Sequence, residues 1–133
     1  MCGINGFTFE DKDLIVKMND ANKHRGPDAS NFWLSEGVSL GQNRLSIIDI
    51  SNASSQPMQS KDGRYEIVYN GELYNFQDIK KELNDVNFTS TGDTEVVIEA
   101  YAKWGKNCLQ KFNGILMVLP TYRMTIDPGI CDF

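Results

Sequence analysis

The stretch EIVYNGELYNFQDIKKELN (residues 66–84) contains the change of period that sets the fold class. Its first four residues, Glu66-Ile67-Val68-Tyr69, are a β-branched and aromatic run entered from the turn Lys61-Asp62-Gly63-Arg64, which predicts a strand. In its second half Phe76, Ile79 and Leu83 recur at helical spacing. Asn75 stands at the N-cap position and Asp78 in the first turn, so a helix is expected over Phe76–Asn84. Asn70-Gly71 lies between the two, and alone it reads equally well as a hairpin turn.

Working outward, Cys2–Phe9 (CGINGFTF) reads as a buried first strand whose glycines allow close backbone approach. Asp11–Lys23 carries Leu14, Ile15, Met18 and Ala21 as a helical stripe that ends before the turn-rich HRGPDASN. Short apolar runs at Asn31–Leu34, Val38–Gln42 and Leu45–Ile50 predict successive antiparallel strands. Downstream, Phe88–Thr91 is expected to be a brief strand. Asp93 is expected to cap a helix whose Val96, Val97, Ala100, Tyr101 and Trp104 form one face, stopped by Gly105, with a further turn at Asn107–Phe112. Clustered strands flanked by helices imply α+β layers.

With 133 residues, one domain is expected, and 41% apolar content supplies a core while excluding a disordered or fibrous chain. A net charge of −5 gives no electrostatic reason to bind nucleic acid or an anionic membrane. The longest apolar run, Ile115–Pro120, falls far short of the roughly 20 residues of a membrane span. The N-terminus lacks a basic segment followed by an apolar one, so no secretory signal is expected and the cytoplasm is the expected location. Three scattered cysteines, Cys2, Cys108 and Cys131, make a poor disulfide framework and a poor zinc site, and His24 is the only histidine. No metal site is expected.

Cys2 follows the initiator methionine directly. Methionine removal would leave a thiol and a free α-amine on one residue. The amine, with a reference pKa near 7.7–8.0, could take the thiol proton without a histidine. The plainer alternative is a structural cysteine in a first strand.

The motifs decide between them. Met1-Cys2-Gly3-Ile4 is followed in order by His24-Arg25-Gly26-Pro27-Asp28, Arg44-Leu45-Ser46-Ile47-Ile48-Asp49, Gln56-Pro57-Met58, Asn70-Gly71-Glu72-Leu73-Tyr74-Asn75 and Gly92-Asp93-Thr94-Glu95-Val96. Together these resemble the N-terminal glutaminase domain of asparagine synthetases, a class II glutamine amidotransferase of the N-terminal-nucleophile (Ntn) hydrolase type. The resemblance implies an αββα sandwich of antiparallel sheets with flanking helices. It implies Cys2 as nucleophile, Asn70 and Gly71 as the oxyanion hole, and Arg44, Asn70, Gly71, Glu72 and Asp93 as contacts to L-glutamine. Arg44 offers a planar fork to a carboxylate, whereas Asp93 and Glu72 offer acceptors to an ammonium. His24 is expected to fix its loop and to have no catalytic role.

Two departures shape the expectation. The family usually places a histidine before the RLSI segment, where this chain has Gly41-Gln42-Asn43-Arg44. The resemblance also ends near Gly114, so residues 1–114 are expected to be the amidotransferase domain and 115–133 a divergent tail, with later strands missing or replaced. A truncated reading frame would explain that break. The unpaired edges would then need the tail or a homodimer mate to cover them. No cofactor is expected in the chain, since ATP and magnesium belong to a synthetase domain that would have to be supplied separately as the acceptor of ammonia. The alternatives are an inactive remnant or interaction domain, and an amidotransferase serving another acceptor such as a sugar or cell-surface precursor.

Overall fold

In a computed structural model, residues 2–45 and 52–122 are described. Six strands form two antiparallel sheets. In the first, β1 (Gly3–Phe7), β3 (Val38–Arg44) and β2 (Ala29–Ser35) lie in the order β1-β3-β2. In the second, β4 (Met58–Gln59), β5 (Tyr65–Leu73) and β6 (Gly114–Tyr122) lie in the order β4-β5-β6. Helix α1 (Lys12–Ala21) packs on the first sheet, α3 (Asp93–Trp104) on the second, and α2 (Phe76–Glu82) against α3. β5 also approaches β1 and β3, so the two sheets meet through it. The α+β class and the antiparallel pairing therefore agree with the sequence pattern.

The α1 face differs from the apolar stripe. Asp11 caps the helix by accepting from the Leu14 amide at 2.9 Å. Ile15 is buried, but Leu14 and Ala21 are exposed, and the other buried residue is Asn19. The first sheet presents amides rather than hydrocarbon. Asn5 donates to Asn19 Oδ1 at 2.9 Å, Asn19 donates to the Asn31 carbonyl at 2.9 Å, and Asn43 donates to the Asn19 carbonyl at 2.6 Å. Gly41 permits this contact, since a Cβ there would overlap Asn19 Oδ1 and come within 3.0 Å of Ile15.

The apolar core lies between the second sheet and its helices, where Ile67, Tyr69, Leu73, Ile79, Leu83, Val96, Val97, Ile98 and Ala100 pack together. α3 was expected to bury one face, yet every residue from Asp93 to Ala100 is buried. Two polar segments cover its far side. Glu95 accepts from the Thr89 and Ser90 amides at 3.0 and 2.7 Å, and Glu99 accepts from the Lys61 amide at 2.6 Å. The same bonds explain why no strand forms at Phe88–Thr91, because those backbone donors are spent on a carboxylate instead of a ladder.

Asn75 sits at the N-cap of α2 without a side-chain capping bond. Its amide instead donates to the Lys111 carbonyl at 2.8 Å and accepts from the Asn113 amide at 2.9 Å, tying α2 to the start of β6. α2 ends at Glu82, two residues before the expected boundary, and residues 105–110 form the expected further turn as a 3-10 helix. β6 pairs with β5 along its whole length, from Leu73↔Gly114 to Tyr65↔Tyr122, and so runs past residue 114, where the motif resemblance ends. The strand expected at Leu45–Ile50 lies, beyond Leu45, outside the described residues, as does Cys131.

Candidate active site

Strand alternation sorts the candidate residues by face. On β1 and β3 the odd-numbered residues face α1: Asn5, Gly41 and Asn43 meet Asn19, and a Cβ on Gly3 would touch Arg25 and Asn22. The even-numbered residues Cys2, Ile4, Gln42 and Arg44 therefore lie on the face turned toward the second sheet. The register pairs Gly3 with Asn43 and Ile4 with Gln42, and one further step sets Cys2 opposite Arg44. On β5 Ile67, Tyr69 and Leu73 belong to the core beneath α3, which leaves Val68, Asn70 and Glu72 on the face toward the first sheet. Four of the six candidates, Cys2, Arg44, Asn70 and Glu72, thus have the parity of the sheet faces turned away from α1 and α3.

Cys2 is half-buried, and its Sγ accepts from the Leu45 amide at 3.4 Å and lies 3.7 Å from the Leu45 carbonyl. Arg44 is 7% exposed, Asn70 and Gly71 are half-buried, and Glu72 is exposed. Gly71 is required by β6, since a Cβ there would overlap the Ile115 carbonyl oxygen and stand 3.0 Å from Tyr69. The Asn70-Gly71 pair is therefore no hairpin turn, because both residues lie inside the nine-residue β5.

Asp93 approaches the same strand segment from the α3 side. The expected cap is displaced by one residue: Gly92 occupies the N-cap and Asp93 is the first helical residue. Its carboxylate accepts from the Tyr69 hydroxyl at 2.8 Å and from the Leu73 amide at 2.9 Å, both at Oδ2. The helix N-terminus favours that negative charge. Burial, followed by the negative charge of Asp93 and the hydrogen bond to it, raises the Tyr69 pKa well above that of a free phenol, so the hydroxyl stays a donor.

Tyr69 and Gln56 were missed by residue-level reading. Gln56 accepts from the Tyr69 amide at 2.6 Å and donates to Thr94 Oγ1 at 3.1 Å, which locks the first turn of α3 onto β5. The signal for Tyr69 was available, since a tyrosine inside a core strand needs a partner for its hydroxyl. Glu95 neighbours the site without entering it. Burial alone would raise its pKa, but Lys61 at 2.9 Å and the Ser90 and Thr89 amides outweigh burial and hold it at about 2. Among the described residues no group of three or more His, Cys, Asp or Glu side chains is arranged to hold a metal ion, and no helix is long and apolar enough to cross a membrane.

Comparison with known proteins bears on this arrangement. A family model described as a glutamine amidotransferase domain matches residues 1–121. Asparagine synthetase [glutamine-hydrolyzing] 3 of Bacillus subtilis is 40% identical over 125 residues, covering 86% of this chain and 20% of the relative. A putative asparagine synthetase [glutamine-hydrolyzing] 2 of Methanocaldococcus jannaschii is 38% identical over 137 residues, covering 86% of this chain and 26% of that protein. Amidase chry2 of Gibberella zeae is 34% identical over 132 residues, with 86% and 20% covered. The chain thus spans about a fifth to a quarter of the length of these curated relatives.

Proposed function

From the premise that the chain belongs to the family of glutamine amidotransferase domains, we propose that it hydrolyses the side-chain amide of L-glutamine with Cys2 as an N-terminal nucleophile. The observation that carries this reading is the β1–β3 register, which pairs Gly3 with Asn43 and leaves Cys2 Sγ on the Leu45 amide next to Arg44, with Asn70 on β5 of the second sheet. The two sheets with α1 on one and α3 on the other support an αββα, Ntn-type layering.

Removal of Met1 frees the α-amine of Cys2, which accepts the thiol proton as sulfur attacks the amide carbon and a C–S bond forms. The Asn70 side-chain N–H and the Gly71 backbone N–H stabilise the oxyanion, where loss of one donor typically costs about 10²–10³ in rate. The C–N bond breaks and the amine returns its proton to the leaving nitrogen, which departs as ammonia. Water then adds to the thioester, the C–S bond breaks, and glutamate and the thiol are regenerated. Arg44 binds the α-carboxylate. Glu72 and the remaining oxygen of Asp93 receive the α-ammonium, Oδ2 of Asp93 being already committed to Tyr69 and Leu73.

The ammonia would serve an amidation of the asparagine synthetase type, carried out by a synthetase domain or subunit that uses ATP and magnesium. A second reading concerns that last step alone, in which the acceptor is another compound such as a sugar or cell-surface precursor; one relative bears the name of an amidase and not of an asparagine synthetase. Cys2→Ala should abolish glutaminase activity and labelling by a diazo-ketone glutamine analogue, and intact mass should show a chain without Met1. Equal labelling of wild type and Cys2→Ala would refute the assignment.

A further inference from the structure

Gln42 is 1% exposed, and neither its Oε1 nor its Nε2 has a hydrogen-bond partner. Leaving a buried polar group unpaired is costly, so such a group calls for an explanation. Its neighbours on the strand show that the cost is avoidable here. Asn43, on the opposite face, spends its amide on the Asn19 carbonyl, and Asn5, Asn19 and Asn22 form a connected set. Asn43 Oδ1 is also buried without a partner, but among the buried side-chain amides of the described residues only Gln42 is unpaired at both ends. It lies two residues from Arg44 on the same face of β3 and pairs in register with Ile4 on β1. That makes it the diagonal neighbour of Cys2, a separation of roughly 7–8 Å that a long side chain can span.

A primary carboxamide presents one acceptor and one two-hydrogen donor in the same plane. The group that satisfies both ends at once is another primary carboxamide. Glutamine carries one and glutamate does not: a carboxylate can accept from Nε2 but has no hydrogen for Oε1, which would be left facing a negative oxygen. Resting on the glutamine site proposed above, we propose that Gln42 is a specificity-determining contact whose carboxamide pairs with the side-chain amide of bound L-glutamine and rejects L-glutamate. A hydrogen-bonding site of this kind discriminates strongly against the analogue lacking the donor, because the site's own buried group is then left unpaired. The same discrimination would favour release of the hydrolysis product.

The test measures equilibrium dissociation constants of L-glutamine and L-glutamate on the full chain in a Cys2→Ala background, which removes turnover, for wild type at residue 42, Gln42→Leu and Gln42→Met, with the melting temperature recorded for each. The chain with Gln42 is expected to prefer glutamine. In both variants glutamine binding should weaken about tenfold or more while glutamate binding changes less than about threefold, so that the preference collapses. The melting temperature should stay level or rise, because an unpaired buried amide is replaced by hydrocarbon of similar volume. Both variants keeping the wild-type preference would overturn the role of Gln42 and leave the site standing. Loss of folding in both would also overturn it, since the amide would then be structural. A chain with Gln42 that binds neither amino acid would overturn the glutamine site itself and this inference with it.

Discussion

Gly71 offers the sharpest test of how the site is built, because one methyl group there strikes backbone rather than a movable side chain. In Gly71→Ala the new Cβ overlaps the carbonyl oxygen of Ile115 on β6 and comes within 3.1 Å of its carbon and 3.0 Å of Tyr69 Cε2. Tyr69 cannot swing aside, because its hydroxyl is held by Asp93 and its ring is in the core. The Ile115 peptide must therefore move, and it belongs to the β5–β6 ladder, where Gly71 pairs with Leu116 and Glu72 with Ile115. Losing one or two ladder bonds costs about 1 kcal/mol each, and forcing the strands apart about 1–3 kcal/mol more, for a total of about 2–5 kcal/mol. In a domain of this size that corresponds to a melting temperature lower by roughly 10 °C. Urea unfolding and calorimetry on the purified variant measure it, with Gly37→Ala as comparator. Gly37 has a φ of 81° and open space around it, so only backbone strain of about 1 kcal/mol is expected there. A Gly71→Ala variant within about 0.5 kcal/mol of wild type would show that β6 does not press on β5 at this point and would refute the reasoning.

Other perturbations probe the surroundings. Tyr69→Phe removes a donor to buried Asp93 and should lower stability by about 1–3 kcal/mol; a double-mutant cycle with Asp93→Asn should show coupling, and additive effects would argue against the bond. The Glu95 carboxyl is held at about 2, below the usual 4.5 of a glutamate, so its contribution is fully present above about pH 4.5 and is lost as the pH falls toward 2. Urea midpoints from pH 6 to pH 3 should therefore fall less steeply in Glu95→Gln than in wild type, and parallel curves would contradict this. Burial raises the Cys108 pKa and leaves the residue 1% exposed, so limited alkylation followed by peptide mapping should modify Cys2 well before Cys108.

The legible and illegible parts of the sequence divide on physical grounds. Period and turn chemistry act locally, which is why β5, the helices at Lys12–Ala21, Phe76–Glu82 and Asp93–Trp104, and the stop at Gly105 could be placed. Where the pattern misled, a distant partner had taken over the local group. Asn75 gave its side chain to Lys111 and Asn113 instead of its own helix, Thr89 and Ser90 gave their amides to Glu95, and Asn19 displaced the expected apolar face of α1 by meeting three asparagine-bearing strands.

The same division runs through the site. The family resemblance carried by the ordered motifs named Cys2, Arg44, Asn70, Gly71, Glu72 and Asp93, each with chemistry that a glutamine pocket needs. Only the tertiary structure brought Cys2 Sγ to the Leu45 amide next to Arg44, put Asn70 on the β5 face away from the α3 core, and supplied Tyr69 and Gln56 as the residues that fix Asp93 and α3 on β5. Strand register and sheet packing are long-range choices made by burial, and no residue's own spacing encodes them. Gln42 is the clearest case: in sequence it is a polar residue in a short strand, and burial without a partner is what makes it a candidate contact.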